Sequence, residues 1–219
     1  MKTQCSKRRN YGLTLVEILV VIFVLAILVA MLLPTITHPT HINSHRIACV
    51  NNLKQIGLAY RIWEGDHGDK YPMSVSATNG GAMEFVAAGN VTAIFQVMSN
   101  ELSTPKILFC PADERRSYAT NFSAGFSAQN ISYFIGLDAD ETNPQTLLSG
   151  DDNFEIGGAP VQSGLLLISS NAPIAWSAAR HKFFGNLLLS DGSVMQSTQS
   201  ELKRLIQQTG LATNHFTIP

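Results

Sequence analysis

Residues 12–33 read GLTLVEILVVIFVLAILVAMLL, and this stretch dictates the architecture of the whole chain. From Leu13 to Leu33 run 21 residues in which only Thr14 and Glu17 are polar. As a helix, 21 residues extend ~31 Å, about the hydrocarbon thickness of a bilayer. The stretch is expected to be a membrane-spanning helix. Lys2, Lys7, Arg8 and Arg9 precede it without an acid, and the 17 residues after it hold only Arg46 and three histidines. The positive-inside rule then puts the N-terminus in the cytoplasm and the rest of the chain outside it. A removed secretory signal has a shorter apolar core, roughly 7–15 residues, and a small-x-small cleavage site. The apolar run is longer here, and Leu33-Pro34-Thr35-Ile36 offers no such site. A carboxylate such as Glu17 costs ~2.5–3.5 kcal/mol at mid-bilayer, so it needs a partner or a path to water. No cation of the apolar segment supplies the partner. Either Glu17 snorkels to the interface, or a cut after Gly12 creates an ammonium on Leu13 that a neighbouring copy presents to it.

Beyond this segment the chain has the bulk of one modest domain with an appendage. Its 219 residues are 45% hydrophobic and 14% charged, against about 25% charged for an average soluble domain. A formal net charge of −1 argues against a nucleic-acid-binding domain. Three cysteines are too few for a disulfide-dense scaffold. Apolar runs continue to the C-terminus, which argues against general disorder.

Gly12-Leu13-Thr14-Leu15-Val16-Glu17, with basic residues before it and apolar ones after it, resembles the processing site of type IV pilins and type II secretion pseudopilins. Leu13 stands where phenylalanine is usual in that family. The resemblance implies a leader peptide at 1–12, cleavage after Gly12 by a membrane-embedded prepilin peptidase, and methylation of the new Leu13 amine by the same enzyme. It makes Glu17 the assembly glutamate. It also implies a transmembrane helix over 13–33, a kinked amphipathic spine over 34–63 and an extracytoplasmic head over 64–219.

Pro34 lacks an N–H and clashes with the preceding turn, so it ends or kinks the apolar helix. Pro39 is a second break, and Asn43 or Ser44 can cap a new helix. Ile47, Val50, Leu53, Ile56, Tyr60 and Trp63 then recur every three or four residues, an amphipathic helix that buries one face. Cys49-Val50-Asn51-Asn52-Leu53-Lys54-Gln55-Ile56-Gly57-Leu58 resembles a helix of a pilin-like group abundant in planctomycete- and verrucomicrobium-type bacteria. That group also carries an H-x9-D-G motif, matched here by His181 and Asp191-Gly192.

The head reads as loop-rich with short strands. A helix is expected over Met83–Glu101, interrupted at Gly89-Asn90, and a strand over Ile107–Cys110. Ile131–Leu137 and Gly164–Ser169 read as strands. Asn186–Ser190 and Ser193–Gln196 flank Asp191-Gly192, a hairpin with a type I′ signal. Ser200–Thr209 reads as a final helix with Gly210 after it.

Cys5 falls in the leader, which leaves Cys49 and Cys110 in a compartment that permits oxidation. A bridge closing about 60 residues contributes ~4 kcal/mol on the chain-entropy model; the alternative is two buried thiols. His38, His41, His45 and Cys49 have helical ligand spacing, but Pro39 breaks the run and no fourth ligand is evident. Asp138, Asp140, Asp151 and Asp152 are oxygen donors of the kind that suit calcium. The resemblance supports that ion, because several pseudopilins bind it in their heads. The spacing fits no EF-hand, and the alternative is a solvated acidic loop. His181 reads as a structural clasp on the Asp191-Gly192 hairpin rather than as a catalytic group. Trp63, Tyr71, Trp176, Phe183 and Phe184 are core side chains or a stacking surface. The chain holds no G-x-S-x-G, H-E-x-x-H, P-loop or G-x-G-x-x-G signature.

The expectation is an α+β pilin-like subunit with no enzymatic activity and no required cofactor. It is anchored in the inner membrane and works with a prepilin peptidase, other pilin-like subunits and an inner-membrane assembly platform. The competing reading is a membrane-anchored binding module for a glycan, peptide or metal that uses the leader only for sorting.

Overall fold

The structure is a computed structural model that describes residues 12, 14–32 and 41–219. The chain divides into two compact units at Thr40/His41. The fold is α+β. In the first unit, helix α1 runs over Leu15–Leu32. Cys5, Leu13, Pro34, His38 and Pro39 lie outside the described residues, as does the side chain of His41.

The second unit begins with helix α2, His41–Asp66, three residues longer than the expected end at 63. Cys49, Leu53, Ile56, Tyr60 and Trp63, spaced alternately four and three residues apart, form its buried stripe, with Ala59 and Glu64 buried beside them. Ile47, expected on that face, is exposed. The C-x-N-N-L-K-Q-I-G-L segment has a physical reason at almost every position. Leu53 and Ile56 enter the core, while Asn51, Lys54 and Gln55 face solvent. Asn52 Nδ2 donates to Phe109 O at 2.9 Å and to Tyr133 Oη at 3.3 Å. A Cβ on Gly57 would stand 2.9 Å from Leu188 Cδ1, so the glycine lets the helix lie close to the sheet.

Three short helices come next, α3 Met83–Val86, α4 Val91–Val97 and α5 Ser99–Leu102. They replace the single helix expected over Met83–Glu101. Gly89 takes φ +61, and its Cβ position lies 2.5 Å from Leu165 N, so the backbone crosses another strand where a helix cannot continue. Asn90 then caps α4, its Oδ1 accepting from Ala93 N at 3.0 Å. The strand expected over Ile107–Cys110 is instead a 3-10 turn over Pro105–Leu108, started by Pro105 and the Thr104 hydroxyl.

Among the described residues, nine strands make two antiparallel sheets. The larger contains β1 Tyr133–Gly136, β2 Leu147–Asp151, β5 Gly164–Ser169, β7 Gly185–Leu189, β8 Val194–Ser197 and β9 Thr213–Ile218, in the order β5-β9-β1-β2-β7-β8. The smaller contains β3 Phe154–Ile156, β4 Ala159–Pro160 and β6 Ile174–Trp176, in the order β4-β3-β6. On one side of the main sheet, α2 buries Leu53, Ile56 and Tyr60 with Leu148 and Leu188. A second apolar cluster joins Phe134, Leu187 and Phe216 to Trp176 and to helix α6, Gln199–Gln208, through Leu202, Leu205 and Ile206. Thr198 and Glu201 form the capping box that starts α6.

The β7–β8 hairpin departs from its expected turn. Gly192 has φ +84, but Asp191 is not in the left-handed region, which a type I′ turn requires at both central residues. The loop is Ser190-Asp191-Gly192, closed by Leu189 N donating to Ser193 O at 3.0 Å. Asp191 Oδ1 accepts from Ser193 N at 2.8 Å. Ser190 O receives Arg61 Nη2 and Tyr71 Oη, each at 2.9 Å, which ties the turn to α2 and to the loop that follows it.

Candidate functional site

The head concentrates its buried polar chemistry where β2 ends and the β6–β7 loop turns back over α2. Cys49 of α2 and Cys110, just after the 3-10 turn, form a disulfide with a Cα–Cα distance of 5.5 Å. His181 Nε2 stands 3.5 Å from Cys110 Sγ and 3.5 Å from Asp151 Oδ2. Asn186 donates to the same Asp151 oxygen from its backbone and its side chain, each at 2.7 Å. Asp151 Oδ1 and His181 Nδ1 are buried without a hydrogen-bond partner. Burial pushes the Asp151 carboxyl up, His181 and Arg180 opposing. Burial likewise pushes the His181 imidazole down against the pull of Asp151.

The loop that carries His181 is held in an uncommon conformation. Arg180, Lys182 and Phe183 have φ of 61°, 52° and 66°. Non-glycine residues of this kind cost of order 1–3 kcal/mol each and persist only where their surroundings fix them. Here Asn153 Nδ2 donates to Ala179 O and Phe184 O at 3.0 and 3.2 Å, and Arg46 Nη2 donates to His181 O at 3.2 Å.

Arg180 is the deepest anchor. Its Nη2 pairs with Asp113 Oδ2 at 2.9 Å and with Asp152 Oδ1, while Nη1 donates to Ser132 O at 2.8 Å. Arg116 Nη1 bridges the same carboxylates, 3.3 Å from Asp113 and 2.6 Å from Asp152. Burial works to raise the Asp113 pKa, but Arg180, the Ser132 hydroxyl and Arg116 outweigh it and hold it below its ordinary value. A carboxylate with a depressed pKa adds stability that is present above its ordinary value, 3.8, and is lost as pH falls through its lower folded value. Wild type is therefore expected to lose melting temperature steeply on acidification below pH ~4. Asp113→Asn is expected to melt lower at pH 7 and to show a flatter acid limb. Parallel acid limbs in thermal melts of the two proteins would refute this role for Asp113.

The N-terminal segment is described by itself. Thr14 and Glu17 form a capping box on α1. Thr14 N and Thr14 Oγ1 donate to Glu17 Oε2, each at 2.8 Å, and Glu17 N donates back to Thr14 Oγ1 at 3.3 Å. This carboxylate thus has a hydrogen-bond partner, Thr14, in its own segment. It also sits at the positive end of the helix dipole. From Leu15 to Met31 every side chain of α1 is exposed, apolar on all sides apart from Glu17. At ~1.5 Å per residue the 18 residues of α1 extend ~27 Å. Among the described residues, no helix is long and apolar enough to cross a membrane.

Residues 7–33 match the prokaryotic N-terminal methylation motif. No curated protein and no solved structure gives a significant match to the chain. The motif supports a prepilin-like N-terminus of the type IV pilin or pseudopilin kind.

The other residues singled out in the sequence disperse. Asp138 pairs with His215, accepting from its backbone N at 2.6 Å and lying 2.9 Å from its Nδ1. Asp140 turns onto Thr142, whose N donates to it at 2.8 Å. Asp151 and Asp152 are occupied in the buried clusters above. These four carboxylates each serve a different partner. The clasp on the Asp191-Gly192 hairpin is corrected. Among the described residues His181 makes no bond to the Asp191 turn; its ring faces Cys110 and Asp151. Trp63, Tyr71 and Trp176 are core, whereas Phe183 and Phe184 are 53% and 36% exposed, with Arg46 stacked 4.6 Å over the Phe184 ring.

Proposed function

We propose that this chain is a pilin-like structural subunit. A prepilin peptidase cuts it after Gly12 and methylates the Leu13 amine. The segment 13–33 anchors it in the inner membrane, with the N-terminus cytoplasmic and the head outside, until an assembly platform moves it into a pilus-like filament or a type II secretion-type pseudopilus. One observation carries this reading: the methylation motif at 7–33 encloses helix α1, whose exposed surface is apolar on every side apart from Glu17. Such a helix is stable only when lipid or other apolar helices cover it, and side-by-side packing in a filament core supplies that cover.

The rival reading, an anchored binding module, gains little from the head. A cavity of about 330 Å³ opens beside Ala112, Asp113, Glu114, Arg115 and Arg180. Asp113 and Arg180 are already paired with each other there.

Intact-mass and N-terminal analysis of the chain from its native membrane tests the proposal. The expected product begins with N-methyl-Leu13 and lacks residues 1–12. Gly12→Ala is expected to leave most of the chain at full length. A full-length wild-type chain in cells that hold an active prepilin peptidase would overturn the reading.

A further inference from the structure

We propose that Cys49, Cys110, His181 and Asp151 form a tetrahedral zinc site whenever the Cys49–Cys110 bridge is open. The site goes beyond assembly and is independent of it. The four side chains are buried, and their ligand atoms all lie within 4.8 Å of one another. Atoms about 2.0–2.3 Å from a zinc ion stand about 3.3–3.8 Å apart at the corners of a tetrahedron. His181 Nε2 already lies 3.5 Å from both Cys110 Sγ and Asp151 Oδ2. The two sulfurs have to separate, and the remaining ligand atoms, all within 4.8 Å, have to close on the ion. Two thiolates, one imidazole and one carboxylate are a donor set that suits zinc and excludes hard cations such as calcium and magnesium.

The bonded state leaves the neighbours of the bridge incompletely satisfied. Asp151 Oδ1 has no partner although Asp151 is fully buried, and a buried polar atom without a partner is expensive. A disulfide is neutral and donates nothing to it. A zinc ion on this carboxylate would supply the charge partner that the bridge lacks. The supporting residues of a metal site are present too. Asn186 holds Asp151 Oδ2 through two donors, as ligating carboxylates usually are held. The loop anchored by Arg180 fixes the position of His181.

The interconversion balances with a phosphine reductant. The S–S bond breaks, phosphorus takes the oxygen of one water to become a phosphine oxide, and the two hydrogens end on the Cys49 and Cys110 thiols. Zinc then displaces both thiol protons to solvent.

The test uses the full chain in detergent with Cys5→Ser, so that no third thiol contributes. The protein is reduced with a phosphine, stripped with a chelator and titrated with cobalt, then with zinc. The expected result is one cobalt per chain with a sulfur-to-cobalt charge-transfer band and tetrahedral visible bands, displaced by zinc, and no uptake by the oxidised chain. Asn186→Ala is expected to weaken zinc ~10–100-fold, and His181→Gln and Asp151→Asn at least as much. His215→Gln, in the exposed Asp138 pair, serves as a control and should bind like wild type. Circular dichroism checks the fold of each reduced variant. Should a ligand variant fail to fold, the wild-type cobalt spectrum decides. Absence of the charge-transfer band in the reduced chain, or folded His181 and Asp151 variants that bind like wild type, would overturn the proposal.

Discussion

Arg180→Ala is expected to lower the stability of the head by ~3–5 kcal/mol, the range for removing one member of a buried ion pair. Asp113 and Asp152 would both keep their charge, and both are buried. Arg116 remains beside them, but the other guanidinium, Arg115, is 60% exposed and stands 3.6 and 3.8 Å from the two carboxylates, too solvated to replace Arg180. Ser132 O would also lose its donor. The substitution has one compensation, because alanine at φ +61 carries a strain similar to that of arginine but no longer has to bury a long side chain. The measurement is a urea midpoint in detergent at pH 7, read by near-ultraviolet circular dichroism, with an unchanged m-value. The sign of the pH dependence identifies the mechanism. Below pH ~4 the stranded Asp113 protonates, so the gap between wild type and Arg180→Ala should narrow. A gap that stays constant down to pH 3 would mean that lost packing, not charge, is the cause.

The apolar run 13–33, the alternating four and three spacing of α2 and the final helix were legible because each carries its own period or hydropathy. Tertiary contacts erased that signal elsewhere. Leu147-Leu148-Ser149-Gly150-Asp151 is buried on both faces, so no polar–apolar alternation marks it as a central strand. Ser149 Oγ spends its hydrogen bond on Phe134 O, and Asp151 is enclosed by Asn186 and His181. These polar residues read as a loop in the sequence and as strand in the fold. Thr213–Ile218 was hidden in the same way, since it pairs with a strand on each side and buries the polar Asn214 and Thr217.

The candidate site was half legible. Cysteine arithmetic pointed to Cys49 and Cys110, and the H-x9-D-G spacing pointed to His181. The spacing was misleading about the partner of His181, because the nine residues between the motif's halves carry the chain across β7 and away from the loop. Asp113, Arg116 and Arg180 went unnoticed in the sequence. The available signal was density of charge: Asp113-Glu114-Arg115-Arg116 is a run of four in a chain only 14% charged. Thr14 was missed for a different reason. Its T-x-x-E spacing with Glu17 is a plain capping box, but the hydropathy of the segment drew attention to the membrane instead.

That capping box separates two roles for Glu17. Glu17→Ala is expected to leave cleavage after Gly12 intact and to remove the subunit from sheared filaments. Loss of the cap alone costs ~0.5–2 kcal/mol of helix stability, and a long apolar helix held by lipid tolerates that. Loss of the charge is more serious. Each packed neighbour would then present an unpaired Leu13 ammonium at membrane depth, worth ~2.5–3.5 kcal/mol, or about 100-fold per contact. Glu17→Gln distinguishes the two effects, since glutamine serves in a capping box as glutamate does but carries no charge. Thr14→Ala is the complement, keeping the carboxylate while losing the hydroxyl. Pairing with the amine predicts that Glu17→Gln chains are processed yet absent from filaments, and that the Thr14→Ala variant assembles. Filaments containing Glu17→Gln at wild-type yield would leave Glu17 as a helix cap and nothing more.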